Sequence, residues 1–285
     1  MLSPQDIHQL SKYFETPILN WQSVSGGDIS NSYKLQTKNY SVFLKTHSNK
    51  ALLNAEYLGL LEIDKTKTIY TPRILRFGDL EHNSCLALEW IDSKPAHTKD
   101  YTKLGQQLAQ LHQCSQEQFG FSIHNFIGHL PQSNSYHSNW NDFYINERLI
   151  PQLQLAKNKY LLNDIGVLST SELKERCAIY FQNITPSLLH GDLWSGNFFI
   201  SKIGTPYIFD PSTYYGHSEI DIAMTKLFGG FDASFYKSYH ELIPKDEFTD
   251  VRIELYQLYY LLVHLNMFGS SYASSVKHII QKYFQ

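Results

Sequence analysis

An aspartate, an amide and a second aspartate arranged around a short hairpin are the residues of this sequence best suited to chemistry. In the run Leu188-Leu-His-Gly-Asp-Leu-Trp-Ser-Gly-Asn-Phe-Phe-Ile200, Asp192 stands five residues before Asn197, and the chain then turns over 202–206 and returns through Tyr207-Ile-Phe to Asp210. A loop feeding a strand, a turn and a returning strand delivers Asp192, Asn197 and Asp210 to one end of the hairpin. Phosphoryl transfer uses such a set. Asp192 can accept the proton of an attacking hydroxyl, while Asn197 and Asp210 offer an amide and a carboxylate oxygen to Mg2+, a hard cation that completes its shell with waters and nucleotide phosphates. Singly, each is a turn former or a cap; the spacing and the flanking apolar strands carry the reading.

The elements that must position this set can be read around it. Residues 20–45 alternate in character about Gly26-Gly27 and a turn at 37–39, and 40–45 has the aromatic and β-branched bias of a half-buried strand ending at Lys45. Leu52, Leu53, Tyr57, Leu60 and Leu61 mark one face of a helix over 51–63, with Glu56 free to point elsewhere. Strands are expected at 73–77 and 85–91. Gly26 and Gly27 could let the backbone approach a phosphate, although a plain hairpin turn is the first explanation when they are taken alone. The order of glycine loop, Lys45, Glu56 and then Asp192 favours a nucleotide site in which Glu56 holds Lys45 toward the phosphates. After residue 95 the pattern becomes helical, with helices expected at 101–114, 140–155, 171–181 and 251–268 and a loop at 131–139. The expected fold is α+β in two lobes: residues 1–91, a small antiparallel sheet with one helix, and residues 92–285, larger and mainly helical, with a cleft between.

Composition narrows the partners. Lys plus Arg number 24 against 27 Asp plus Glu, and no segment concentrates the basic residues, which argues against a nucleic acid or an anionic membrane surface. Only five of the cations are arginine, so phosphate binding is expected to rest on backbone amides, lysine and metal. Asp6 interrupts what would be the apolar core of a leader, and the most apolar late stretch falls short of the ~20 residues that span a bilayer; the reading is a soluble, cytoplasmic chain. Cys85, Cys114 and Cys177 lack the spacing of a zinc site or a disulfide framework. The oligomeric state is not legible.

HGDLWSGN at 190–197, FDPSTYYGHSEIDIAM at 209–224 and LFGGF at 227–231 closely resemble the fructosamine kinase (ketosamine 3-kinase) family, as do LGQQLAQLH at 104–112, FGF at 119–121 and WNDFYINERLIPQL at 140–153. The resemblance implies a protein-kinase-like fold and ATP-dependent phosphorylation of the 3-hydroxyl of a ketosamine, of fructosamine, ribulosamine or erythrulosamine type, either free or on a glycated protein lysine, as a deglycation repair. ATP and Mg2+ are the implied cofactors. By position, the resemblance makes Asp192 the base, Asn197 and Asp210 the metal ligands, Lys45 and Glu56 the ion pair, and Glu89, Trp90 and Ile91 the hinge that meets adenine. Aminoglycoside and choline kinases share the HGD and the later Asp but not Trp194-Ser195-Gly196 or Tyr215-Gly216-His217. A nucleotide-binding module without activity is disfavoured by the intact Lys45, Asp192, Asn197 and Asp210. Pro211 follows Asp210 directly and no activation segment comes after it, so control by phosphorylation there is not expected.

The remaining polar and aromatic residues near the motif have two readings each. Trp194, two residues from the base, and Tyr214, His217 and Glu219, shortly after Asp210, are expected to form an aromatic and polar rim for a sugar bearing an amine. Against this, Trp194 could be core, and Ser218 with Glu219 could cap a helix. His190 is read as structural, Asp221 as an anchor for the loop around Asp192, Arg148 as either a salt-bridge partner or a substrate contact, and Asp28 as facing solvent.

Overall fold

In the computed structural model, which describes residues 2–24, 30–162, 166 and 169–285, the chain opens with a helix, α1 (Pro4–Tyr13), that was not expected from the sequence. Ser3 starts it. Its hydroxyl accepts from Asp6 N–H, the Asp6 carboxylate accepts from Ser3 N–H, and Pro4 occupies the first turn, where no N–H is needed. The small lobe therefore holds two helices rather than one.

Strands β1 (Ile18–Ser23), β2 (Asn31–Thr37), β3 (Ser41–His47), β4 (Ile74–Asp79) and β5 (Ser84–Glu89) form an antiparallel sheet in the order β1-β2-β3-β5-β4. Successive side chains of a strand point to opposite faces. Val42, Leu44, Cys85 and Ala87 accordingly pack with Leu2 and Leu10 on the α1 side, whereas Phe43, Leu86 and Leu88 meet Leu53 and Leu60 of α2 (Lys50–Thr66). Lys45 shares the parity of Phe43, so it leaves β3 toward α2. The proposed phosphate loop, Gly26-Gly27 with Asp28, lies outside the described residues.

The chain crosses to the large lobe at β6 (Ser93–Lys94) and α3 (Thr98–His112). A two-stranded ribbon, β7 (Asn125–Ile127) and β8 (Leu130–Gln132), partly replaces the expected loop. The helix expected at 140–155 is three pieces: α4 (Trp140–Phe143), a π-helical turn (Tyr144–Leu149) and α5 (Ile150–Asn158). After α6 (Thr170–Ala178), β9 (Ser187–Leu189) leads into the motif, and β10 (Phe198–Ser201) and β11 (Pro206–Ile208) form its hairpin, with β6 on the free edge of β10. β12 (Tyr214–Gly216) returns to pair with β9, and α7 (Glu219–Leu227), α8 (Ala233–Leu242), α9 (Thr249–Phe268) and α10 (Ala273–Phe284) complete the lobe. Its core joins Leu104, Leu108 and Leu111 of α3 to the buried face of α9, and it also takes in Ile63 from the last turns of α2 and Ile69 just beyond that helix. Among the described residues, no helix is long and apolar enough to cross a membrane.

Candidate active site

The loop around Asp192 is held from three sides. Asp221, at the start of α7, accepts from His190 N–H and Gly191 N–H, both at 2.8 Å, and a third contact comes from the His112 ring at 3.1 Å. The anchor reading of Asp221 agrees with this geometry. His190 Nδ1 accepts from Asp192 N–H, so its Nε2 carries the proton and donates to the Phe209 carbonyl at 2.9 Å. Burial pushes this imidazole below its ordinary pKa, as suits a neutral strut. Gly191 has φ +84°, and a Cβ there would come within 2.2 Å of the Ser212 carbonyl; this approach ties the loop to the segment after Asp210.

Asn197 Nδ2 donates to the Asp192 carbonyl at 2.8 Å and to its carboxylate at 3.3 Å, and Phe209 N–H donates to the Asn197 carbonyl at 3.1 Å. The hairpin thus brings Asp192, Asn197 and Asp210 together as the spacing predicts. Burial, followed by the charges of Asp210 and Asp221, pushes the Asp192 carboxyl up to about 8, against the Asn197 hydrogen bond. Lys45 Nζ donates to both oxygens of Glu56 and lies 2.9 Å from Asp210 Oδ1. Burial opposes its charge, but Asp210 and Glu56 outweigh burial and hold the ammonium above its ordinary pKa. A cavity lined by Lys45, Glu56, Asp192, Asp210, Phe126 and Gly128 joins the lobes here.

The donor set suits a hard cation. Asn197 turns its amide nitrogen to Asp192, which leaves Oδ1 without a hydrogen-bond partner among the described residues, and Asp210 adds a carboxylate that is one third exposed. At the hinge, Glu89 N–H donates to Arg73 O and Trp90 N–H to Ser41 O. Arg73 N–H in turn donates to the Glu89 side chain, and Ile91 N–H makes no backbone hydrogen bond among the described residues.

The expected substrate rim is only partly present. Trp194 is 39% exposed, and its indole folds over Gly196, where a Cβ would come within 2.3 Å of the ring. Tyr214 has no exposed surface; it lies beneath the Arg148 guanidinium, 3.9 Å from the ring centroid, and cannot reach a substrate. His217 lines a different cavity together with Arg252, Asp246 and Gln182. Its Nδ1 shares a hydrogen bond with the Tyr256 hydroxyl, which also accepts from Trp140 Nε1. Glu219 forms a buried bidentate pair with Arg252, at 2.6 and 2.7 Å, and Ser218 makes no capping bond. Both residues are structural rather than rim. Arg148 fits neither of its expected roles: it is buried on the π turn and donates to the Ser133 carbonyl and Asn134 Oδ1. Phe126 and Gly128 of the β7–β8 ribbon were missed, although the short apolar runs on either side of Gly128 are a weak hairpin signal.

A five-stranded lobe with its Lys–Glu pair, packed on a helical lobe that carries this loop and hairpin, defines a protein-kinase-like phosphotransferase. The chain belongs to the fructosamine kinase family, whose model matches residues 3–285, and it is an ATP-dependent kinase. It is 39% identical over 264 residues to a probable ketoamine kinase of Enterococcus faecium, covering 91% of this chain and 94% of that one. It is also 38% identical over 278 residues to the chloroplastic protein-ribulosamine 3-kinase of Arabidopsis thaliana, covering 95% and 84%. A Haemophilus somnus 129PT crystal structure that bears a provisional fructosamine-3-kinase name superposes with a TM-score of 0.88 at 26% identity, covering 98% of this chain and 96% of that one.

Proposed function

We propose that the protein transfers the γ-phosphoryl group of ATP to O3 of a ketosamine. The observation that carries this reading is the convergence of Lys45, Asp192, Asn197 and Asp210 on one cleft in a chain matched along its length by the fructosamine kinase family. Asp192 takes the proton from O3 as that oxygen bonds to the γ-phosphorus; the bond from phosphorus to the bridging oxygen breaks, and ADP leaves. Lys45, held extended by Glu56, neutralises the α- and β-phosphates. Asn197 and Asp210 would hold Mg2+, which when bound spreads the charge of the phosphates. Glu89, Trp90 and Ile91 form the adenine edge, where lobe 1–91 gives way to lobe 92–285.

The acceptor is a sugar carrying a secondary ammonium, either free or on a protein lysine, and Trp194 is the wall against which it lies. Ribulosamines are expected to serve at least as well as fructosamines. The work of such an enzyme is deglycation repair in the cytoplasm. Phosphorus and proton NMR of the product tests the reading: ester at O3 supports it, and ester at a terminal hydroxyl, or turnover of aminoglycosides alone, overturns it.

A further inference from the structure

We propose that Asn125 is a positioning residue for the segment that follows Asp210, at the end of a one-way relay of buried hydrogen bonds from α9. The Tyr259 hydroxyl donates to Gln132 Oε1, Gln132 Nε2 donates to Asn125 Oδ1 at 2.8 Å, and Asn125 Nδ2 donates to the Thr213 carbonyl at 2.9 Å. All three side chains are buried, and each donor has one acceptor, so the direction of the chain is set from end to end.

The relay runs through the β7–β8 ribbon, whose strands have three residues each. A ribbon that short does not stand alone in water. It is fastened by the relay, by the Ser212 hydroxyl donating to Phe126 O at 2.6 Å, and by Arg148 donating to Ser133 O and Asn134 Oδ1. Two of these attachments end on Ser212 and Thr213, the second and third residues after Asp210. From the other side α2 closes on the same residues: a Cβ on Gly59, one turn beyond Glu56, would meet Thr213 Oγ1 at 2.9 Å and Pro211 Cγ at 3.2 Å. The Pro211–Thr213 segment is therefore gripped between the helix that carries Glu56 and the ribbon that lines the cavity.

Asp210 needs this grip. It has φ +59°, a left-handed conformation that a non-glycine residue keeps only where its surroundings over-determine it. Here no activation segment follows, and the ordering of the metal-side aspartate is built in through neutral buried amides and a phenol rather than added by modification.

The inference rests on Asp210 standing at the nucleotide phosphates. Its test is calorimetric titration of the whole chain with AMP-PNP, with Mg2+ and with EDTA, alongside turnover of a synthetic ribulosamine. Asn125→Asp keeps the side-chain shape and the acceptor for Gln132 but loses the donor to Thr213. It is expected to weaken Mg2+-dependent binding and to lower kcat by about tenfold each, the scale of one buried hydrogen bond, with binding in EDTA and KM for the acceptor unchanged. Tyr259→Phe, which removes one hydroxyl and nothing else, is expected to move the same quantities about threefold, and it serves alone if Asn125→Asp does not fold. Variants that melt lower yet bind and turn over like wild type would reduce the relay to a structural role and overturn the proposal. Equal weakening with and without Mg2+ would overturn it too. A wild-type chain that binds nucleotide tightly but phosphorylates no ketosamine would instead overturn the functional reading and leave the relay standing.

Discussion

Lys45 Nζ bridges both carboxylate oxygens of Glu56, at 2.8 and 2.9 Å, and at the same time stands 2.9 Å from Asp210 Oδ1, so one buried ammonium joins β3, α2 and the end of the large-lobe hairpin. Removing it strands a buried carboxylate. Lys45→Met is expected to cost about 3–5 kcal/mol of stability in urea denaturation, as broken buried pairs do, together with most of the nucleotide affinity. Lys45→Met combined with Glu56→Gln should recover much of the stability and none of the affinity. Joint recovery of both would show that Lys45 serves the fold alone.

Asp192→Asn keeps the shape of the proposed base and its contact with Asn197 while removing proton acceptance. Single-turnover rates should fall by about 10²- to 10⁴-fold, with nucleotide affinity within about twofold of wild type. A variant with the wild-type rate would require a different base.

His217 makes stability depend on pH. Burial pushes its imidazole down to about 4 although Glu219 lies 3.7 Å away. The folded value lies below that of the unfolded chain, so as pH falls through about 6.5 the unfolded chain takes up a proton that the native one refuses, and stability is lost from there toward pH 4. Going from pH 7.5 to 5, His217→Asn should lose about 2 kcal/mol less than wild type. Urea midpoints at the two pH values give the comparison, and equal losses would mean that His217 is protonated in the native state.

Trp194 and Glu219 separate rim from scaffold. Trp194→Ala should raise KM for a ketosamine about tenfold or more and leave KM for ATP unchanged, because the indole is the exposed group beside the proposed base. Glu219→Gln weakens the pair with Arg252, so it should lower the melting temperature and leave KM for the ketosamine alone. The reverse pattern in steady-state kinetics would return Glu219 to the substrate site.

Much of the machinery was legible because its geometry is local. Five residues from Asp192 to Asn197 and a hairpin to Asp210 bring the three together whatever the rest of the chain does, and strand alternation, through the shared parity of Phe43 and Lys45, decides that Lys45 faces the helix bearing Glu56. The start of α1 was also written, in Ser3, Pro4 and Asp6, but as a cap rather than as an apolar stripe, and it is easily passed over.

The outward or inward direction of Tyr214, His217 and Glu219 was not legible, because their partners are distant in the chain. Tyr214 is core because Arg148 covers it from a π turn, and Glu219 is scaffold because Arg252 reaches it from α9. Spacing determines which side chains of one element share a face; which neighbour buries that face depends on how the elements pack. The sequence by itself therefore determined which side chains meet at the end of the hairpin. Only the tertiary structure decided what surrounds it, down to the relay from Tyr259 to Thr213, because hydrogen bonds between residues far apart in the chain form only when packing brings a donor to an acceptor that water can no longer reach.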